Sequence, residues 1–298
     1  MGVTILNALA LLQAKSEGAS FERTLMLGRL ACFMSLRDLR RISSRLPADS
    51  AFVRDIQAGR IPAYMDDFFR ALGATTLDAL DVSAFEDATI IHDLNEPLPE
   101  QLVGQYDAVV DGGTLEHVFN LPTAFRNAMD ALAVDGRFFA ALPANNYCGH
   151  GFYQFSAELF YRVFSAENGF EIERLLVAPA YASGKWLDGP AFNVADPDVL
   201  KDRVNIGARG QLLFLVQARK TAQRPVFTRW PQQSDYVAQW AGPSAAAASA
   251  PHAAVKAIRY LAGRAGGFGR LGARMRERWL WRRTAGANPA LTRHHWPS

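Results

Sequence analysis

The sequence contains only two cysteines, Cys32 and Cys148. Two are too few for a disulfide framework or a cysteine-built metal site, so a reducing compartment is expected and no metal ligands are assigned. Long apolar runs are also scarce. Residues 3–12 form such a run, but Asn7 interrupts it, no basic leader precedes it, and it is too short for a membrane span. A signal peptide is therefore not expected. No internal repeat is visible. No Gly-x-Gly-x-x-Gly follows the first apolar strand-like stretch, which argues against a nicotinamide-dependent oxidoreductase on a related sheet.

What the sequence does contain is an ordinary globular composition. With 298 residues, 49% hydrophobic and 20% charged, it can bury the core of one large domain, or of one domain with an appendage. Charge is distributed unevenly. Residues 253–298 hold ten Lys or Arg against the single acid Glu277, a balance of +9, and the chain's net +3 then leaves −6 for residues 1–252. This suggests a neutral-to-acidic body at 1–220, a Pro- and Ala-rich linker at 221–252 and a basic tail at 253–298. In the tail, Arg264, Arg270, Arg274, Arg276, Arg278, Arg282 and Arg283 alternate with Leu271, Met275, Trp279, Leu280 and Trp281. A basic amphipathic helix of this kind suits an anionic membrane surface, with nucleic acid ranking behind it. The expected location is cytoplasmic, peripheral at the inner membrane through the tail.

Periodicity predicts helix over 3–15 and two or three helices within 35–72, broken at Pro47 and Pro62. Short apolar runs at 24–27, 75–80, 88–92, 106–110 and 137–142 read as buried strands that each end in a polar or glycine-containing turn. Helices are expected at 123–133, capped by Asn120, and from Ser156 to about Asn168. Residues 170–178 and 211–218 read as an antiparallel pair at one edge. The alternation predicts an α/β fold: a doubly wound, mostly parallel, Rossmann-like sheet of about seven strands with an antiparallel edge strand.

The central stretch 106–155 carries the chemistry. It runs from an apolar strand into Asp111-Gly112-Gly113, then Leu115-Glu116-His117-Val118, a helix, a second strand and the loop Asn145-Asn146-Tyr147-Cys148-Gly149-His150-Gly151-Phe152-Tyr153-Gln154. Open α/β sheets bind ligands at the carboxyl ends of their strands, which is where these two loops should lie. The segment from Asp107 to Asn120, together with Leu132-Ala-Val-Asp-Gly136-Arg-Phe138, resembles the fourth and fifth motifs of class I S-adenosylmethionine-dependent methyltransferases. The pair Asp111–Asn120 and Pro143–Ser156 resembles poorly characterised bacterial methyltransferase-like proteins.

The resemblance implies S-adenosylmethionine as cofactor. Asp81 would sit on its ribose, Asp93 and Leu94 would contact the adenine, and Gly28, Asp111 and Gly112 would allow close approach. Only Gly28 and Arg29 stand where the family carries a glycine-rich loop, and Arg29 would pair with the cofactor carboxylate. The acceptor would be a small or glycan-like molecule held by Glu116, Asn145, Asn146, Tyr153 and Gln154. If its methylated atom is a hydroxyl oxygen, His150 or His117 has the side chain suited to removing the proton. The alternative is a non-catalytic member of the same fold, a binding or scaffold protein tethered by its basic tail. Cys148 is assigned no role.

Overall fold

The structure, a computed structural model, describes residues 2–180, 191–240 and 285–296. A two-residue strand β1 (Gly2–Val3) leads into helix α1 (Ile5–Ser16), followed by β2 (Arg23–Leu27) and the short β3 (Ala31–Cys32). The next stretch forms three short helices, α2 (Leu36–Ser43), α3 (Ala51–Gln57) and α4 (Asp66–Ala71), separated where Pro47 and Pro62 were expected to break it. Ser35 and Ser50 cap the first two by accepting the backbone N–H of Asp38 and Val53. Strands β4 (Thr76–Asp81), β5 (Ile90–Ile91) and β6 (Tyr106–Asp111) follow, then α5 (Leu121–Ala131), β7 (Leu132–Asn145) and α6 (Ala157–Val163). The remainder is β8 (Phe170–Pro179), β9 (Phe192–Val194), α7 (Pro197–Leu200), β10 (Leu212–Lys220), α8 (Ser234–Trp240) and β11 (Leu291–Arg293).

Nine of these strands make one sheet in the order β11-β9-β8-β10-β7-β6-β2-β4-β5. The run from β5 to β7 is parallel throughout. Because the chain starts this run in the middle at β2, steps outward to β5 and returns to β6, the order reverses between β2 and β6. The sheet is doubly wound and Rossmann-like, with its topological switch point at that junction.

The antiparallel pairing expected for 170–178 and 211–218 is present, with β10 inserted between β7 and β8 and antiparallel to both. Beyond β8, the three-residue strands β9 and β11 lengthen the sheet past the expected seven.

Burial explains the strand sequences. Leu25 and Leu27 of β2 join Phe138, Ala140 and Leu142 of β7 on the face covered by α5 and α6. Met26, Phe139 and Ala141 point to the opposite face, against α1 and the α2–α4 cluster. With both faces covered, these strands read as continuous apolar runs. Each fully buried Leu or Phe contributes about 1.5–3 kcal/mol. Lys220 is also fully buried, and its Nζ donates to the carbonyls of Met129 and Leu132 at 3.0 and 2.7 Å, satisfying the end of α5.

Several boundaries differ from the sequence reading; the strand expected at 88–92 is only Ile90–Ile91, and the helix from Ser156 ends at Val163. Helix α5 stops at Ala131 because Leu132 pairs with Tyr106, and the register then shifts before Arg137 pairs with Ala108. Asp135 takes a positive φ of 68° in that shift. Strand β7 continues through Pro143 to Asn145, since β10 passes it with a bulge where proline's missing N–H does no harm. Within 221–252, read as linker, residues 234–240 are helical as α8. Within 253–298, residues 291–293 belong to the sheet as β11, whereas the expected basic helix falls in 241–284, outside the described residues.

Candidate functional site

The carboxyl ends of β2, β4, β5, β6 and β7 lie along one edge of the sheet, and the segments that leave them form the candidate site. At the end of β2, Gly28 takes a positive φ of 69° and donates its N–H to the carbonyl of Leu80 at 2.7 Å, a turn that suits glycine. Arg29 does not point to an open position. Its Nη1 donates to Asp87 at 3.0 Å, its Nε faces Asp66 at 3.4 Å, and its guanidinium lies 4.2 Å from the centre of the Tyr64 ring.

Asp81, at the end of β4, is partly exposed and accepts the N–H of Ser83 at 3.2 Å. Its register partner on β5 is Ile91, which is 55% exposed. Val82 and Phe85, in the turn after Asp81, are 65% and 92% exposed. A carboxylate is thus framed by apolar side chains that the fold leaves uncovered. Asp93 is exposed and accepts both N–H groups that Asn95 offers, at 2.9 and 2.8 Å, which holds its carboxyl below the usual range. Leu94, by contrast, is buried in the core.

Asp111 ends β6 and is fully buried. Its carboxylate accepts the N–H groups of Gly113 at 2.9 Å, Thr114 at 2.7 Å and Leu115 at 3.3 Å, so it is consumed in building the turn. Gly112 is approached closely, but by the chain itself: Gly2 donates its N–H to the Gly112 carbonyl at 3.0 Å. A Cβ at Gly112 would stand 2.9 Å from the Gly2 carbonyl oxygen and 2.7 Å from Leu30.

The turn built by Asp111 sets Glu116 and His117 beside the 145–154 loop. Glu116 is 2% exposed, and its backbone carbonyl accepts the N–H groups of Phe152 at 2.7 Å and Tyr153 at 3.3 Å. Gly151, at φ 68°, lies so close that a Cβ would come within 2.7 Å of that carbonyl oxygen. Glu116 Oε1 faces His150 Nε2 at 3.4 Å, while Oε2 has no hydrogen-bond partner among the described residues. Burial, then the neighbouring charge of Asp111, raises the Glu116 carboxyl. Burial raises the Asp111 carboxyl as well, against the pull of its three N–H donors, which favour the anion. His117 and His150 are exposed and meet edge to face, with ring centroids 4.9 Å apart; partial burial and the His150 neighbour lower the His117 imidazole.

The loop's amides serve the backbone. Asn145 donates to the carbonyl of Ile206 at 3.1 Å, and Asn146, at φ 61°, donates to Ala208 and Gly210 at 3.1 and 2.6 Å. Gln154 accepts the N–H of Tyr147 at 2.8 Å, and the Tyr153 hydroxyl donates to Phe119 O at 2.7 Å. Of the residues expected at the site, then, Glu116, His117 and His150 face one another, and Asp81 is partly exposed at the same sheet edge. Arg29, Leu94, Asp111, Gly112, Asn145 and Asn146 are engaged within the protein.

Sequence reasoning missed two features. Tyr147 packs against His150, with centroids 5.6 Å apart, and its hydroxyl is pushed up to about 12 by burial and by Glu116. The apolar rim of Val82, Phe85, Ile91, Phe119 and Phe152 was also missed, because exposure cannot be read from a local apolar pattern. Phe119 and Phe152 pair edge to face at 5.6 Å.

No family profile matches the sequence, and no curated protein does. The fold is similar to solved methyltransferase structures. One is the 1,6-didemethyltoxoflavin-N1-methyltransferase of Burkholderia thailandensis, solved with S-adenosylhomocysteine: 14% identity over 73% of this chain and 78% of that one, TM-score 0.39. A second is the N-methyltransferase NodS of Bradyrhizobium japonicum, also solved with S-adenosylhomocysteine: 14% identity, 72% and 86% covered, TM-score 0.38. Similar too is a structure that is not a methyltransferase, the branched-chain polyamine synthase of Thermus thermophilus: 16% identity, 77% and 60% covered, TM-score 0.36.

Proposed function

We propose that the chain is an S-adenosylmethionine-dependent methyltransferase acting on a small-molecule or glycan-like acceptor. The observation that carries this reading is Asp81 at the switch-point edge, a partly exposed carboxylate framed by the exposed apolar side chains of Val82, Phe85 and Ile91. A carboxylate accepts both hydroxyls of a ribose, and apolar side chains beside it cover a purine.

The nucleoside half of the cofactor therefore fits these residues. The methionine half does not fit Arg29, Asp111 or Gly112 as they stand, because each is engaged with the protein itself. When bound, the cofactor supplies a methyl group on a sulfonium. The chain's own part is alignment and proton removal. His150, held 3.4 Å from a buried carboxylate and open to the edge, accepts a proton from an acceptor hydroxyl in an O-methylation, and Glu116 steadies the resulting imidazolium. Phe119 and Phe152 offer the acceptor an apolar wall.

Titration calorimetry with S-adenosylmethionine and S-adenosylhomocysteine tests the reading. Micromolar binding that Asp81→Ala weakens by tenfold or more is the expected result, since the lost contact is charge-assisted. No heat up to millimolar ligand would sink it and leave the second reading, a non-catalytic binding protein of the same fold. The close packing of Gly2 on Gly112 favours that second reading, because it fills space a cofactor's backbone contact would need. The basic segment 253–284 supports contact with an anionic membrane surface in either case.

A further inference from the structure

Glu116, His117 and His150 each offer a ligand atom, and the three atoms lie within 4.8 Å of one another. Two imidazoles and a carboxylate form a donor set that suits borderline divalent cations such as Zn²⁺, Mn²⁺ or Co²⁺. The sequence alone suggested no metal, because two cysteines are too few for a cysteine-built site. The fold brings the segments together: the turn after β6 carries Glu116 and His117, and the loop after β7 carries His150.

The surroundings of Glu116 are a second observation beside the cluster. The Glu116 side chain is 3% exposed, one oxygen has no hydrogen-bond partner among the described residues, and the other faces a histidine nitrogen at 3.4 Å. Asp111, a buried carboxylate, acts on it with a charge of the same sign. A buried carboxylate in such surroundings is costly unless a positive charge joins it.

The geometry is close to that of a metal site. Two ligands each about 2.0–2.2 Å from one cation stand roughly 3–3.5 Å apart. Glu116 and His150 are already at 3.4 Å, and the exposed side chain of His117 can turn to close the remaining gap. The bonds from Phe152 and Tyr153 to the Glu116 carbonyl hold the two segments together, so only the His117 side chain has to move. Both histidines are exposed, which leaves coordination positions open on the side where the acceptor would lie.

We propose that Glu116, His117 and His150 bind a divalent transition cation whose open positions take an oxygen of the acceptor. The metal site stands on its own residues, whereas its role toward the acceptor rests on the methyltransferase reading. In that role His150 is a ligand in place of the base described above: the cation would lower the pKa of the acceptor hydroxyl, whose proton leaves to solvent water before the oxygen takes the methyl group, and the acceptor class narrows to molecules with a metal-binding oxygen.

The test uses the full chain, free of any affinity tag and stripped with chelator, titrated calorimetrically with Zn²⁺, Mn²⁺ and Co²⁺ in the absence of nucleoside and acceptor. One equivalent of at least one metal should bind, and His117→Ala and His150→Ala should each weaken it tenfold or more. His295→Ala controls for the histidine pair near the end of the described chain, and melting curves of each variant control for folding. Absence of saturable binding up to millimolar metal overturns the proposal. So does an effect below tenfold from either histidine. Because neither cofactor nor acceptor is in the cell, failure here leaves the methyltransferase reading standing, and failure of cofactor binding leaves the metal site standing.

Discussion

Asp81 and Asp111 occupy equivalent places at the ends of β4 and β6, yet their surroundings give them different work. Asp111 accepts three backbone N–H groups in a fully buried turn, so its replacement should be felt in folding. Asp111→Asn presents an amide donor to a backbone donor and should cost about 1–3 kcal/mol in denaturant unfolding. Asp81→Ala, at a partly exposed position, should leave the unfolding midpoint within about 0.5 kcal/mol of the parent chain. Equal losses in both variants would refute the division of roles. The sequence could not separate them, since both are acids after an apolar run. Only burial and donor count distinguish a carboxylate that builds a turn from one that meets solvent. Glu116 and His117 were legible as a site because they follow a strand end. Their approach to His150 depended on the docking of Phe152 and Tyr153, which no local pattern encodes.

At the scale of elements, the parallel core was legible because β2, β4, β6 and β7 are buried on both faces and carry apolar runs bounded by turn residues. The short strands β3, β9 and β11 were not: two or three residues carry no periodicity, and their pairing partners lie far away in the chain. Strand β11 is held by its pairing with β9 and by His294, whose N–H donates to Ala191 O at 2.8 Å and whose ring faces Gln13 at 3.1 Å. Burial, then Arg174, lowers the His294 imidazole from 6.5 to about 4. A histidine depressed in the folded state contributes stability above its unfolded pKa and loses it as pH falls through the folded value. The melting temperature should therefore drop between about pH 6.5 and pH 4, and His294→Gln should flatten that limb. Parallel curves for the two chains would show that this histidine does not anchor the strand.

For the whole molecule, charge divides the chain more sharply than fold does. The −6 of residues 1–252 and the +9 of residues 253–298 are joined in one protein, and β11 returns part of the basic segment to the sheet. Among the described residues no helix is long and apolar enough to cross a membrane; we propose that the basic segment meets a bilayer through surface charge and apolar contact. The full chain should co-sediment with vesicles of phosphatidylglycerol and phosphatidylcholine at low salt, and release as ionic strength rises. Retention on phosphatidylcholine alone, or none on either, would remove the anionic surface as a partner.

The pairing of β11 with β9 also affects how the chain is made. Leu291 meets Val194, so the outer edge of the sheet stays uncovered until a segment about 70 residues beyond Lys220 has been synthesised. At about 5–20 residues per second this is a delay of roughly 4–14 s. During that interval nascent chains on one polysome expose an unpaired edge at β9, a template for pairing between neighbours. Slow translation of residues 221–290 should therefore lower the yield of monomer even though every strand of the parallel core has already been made.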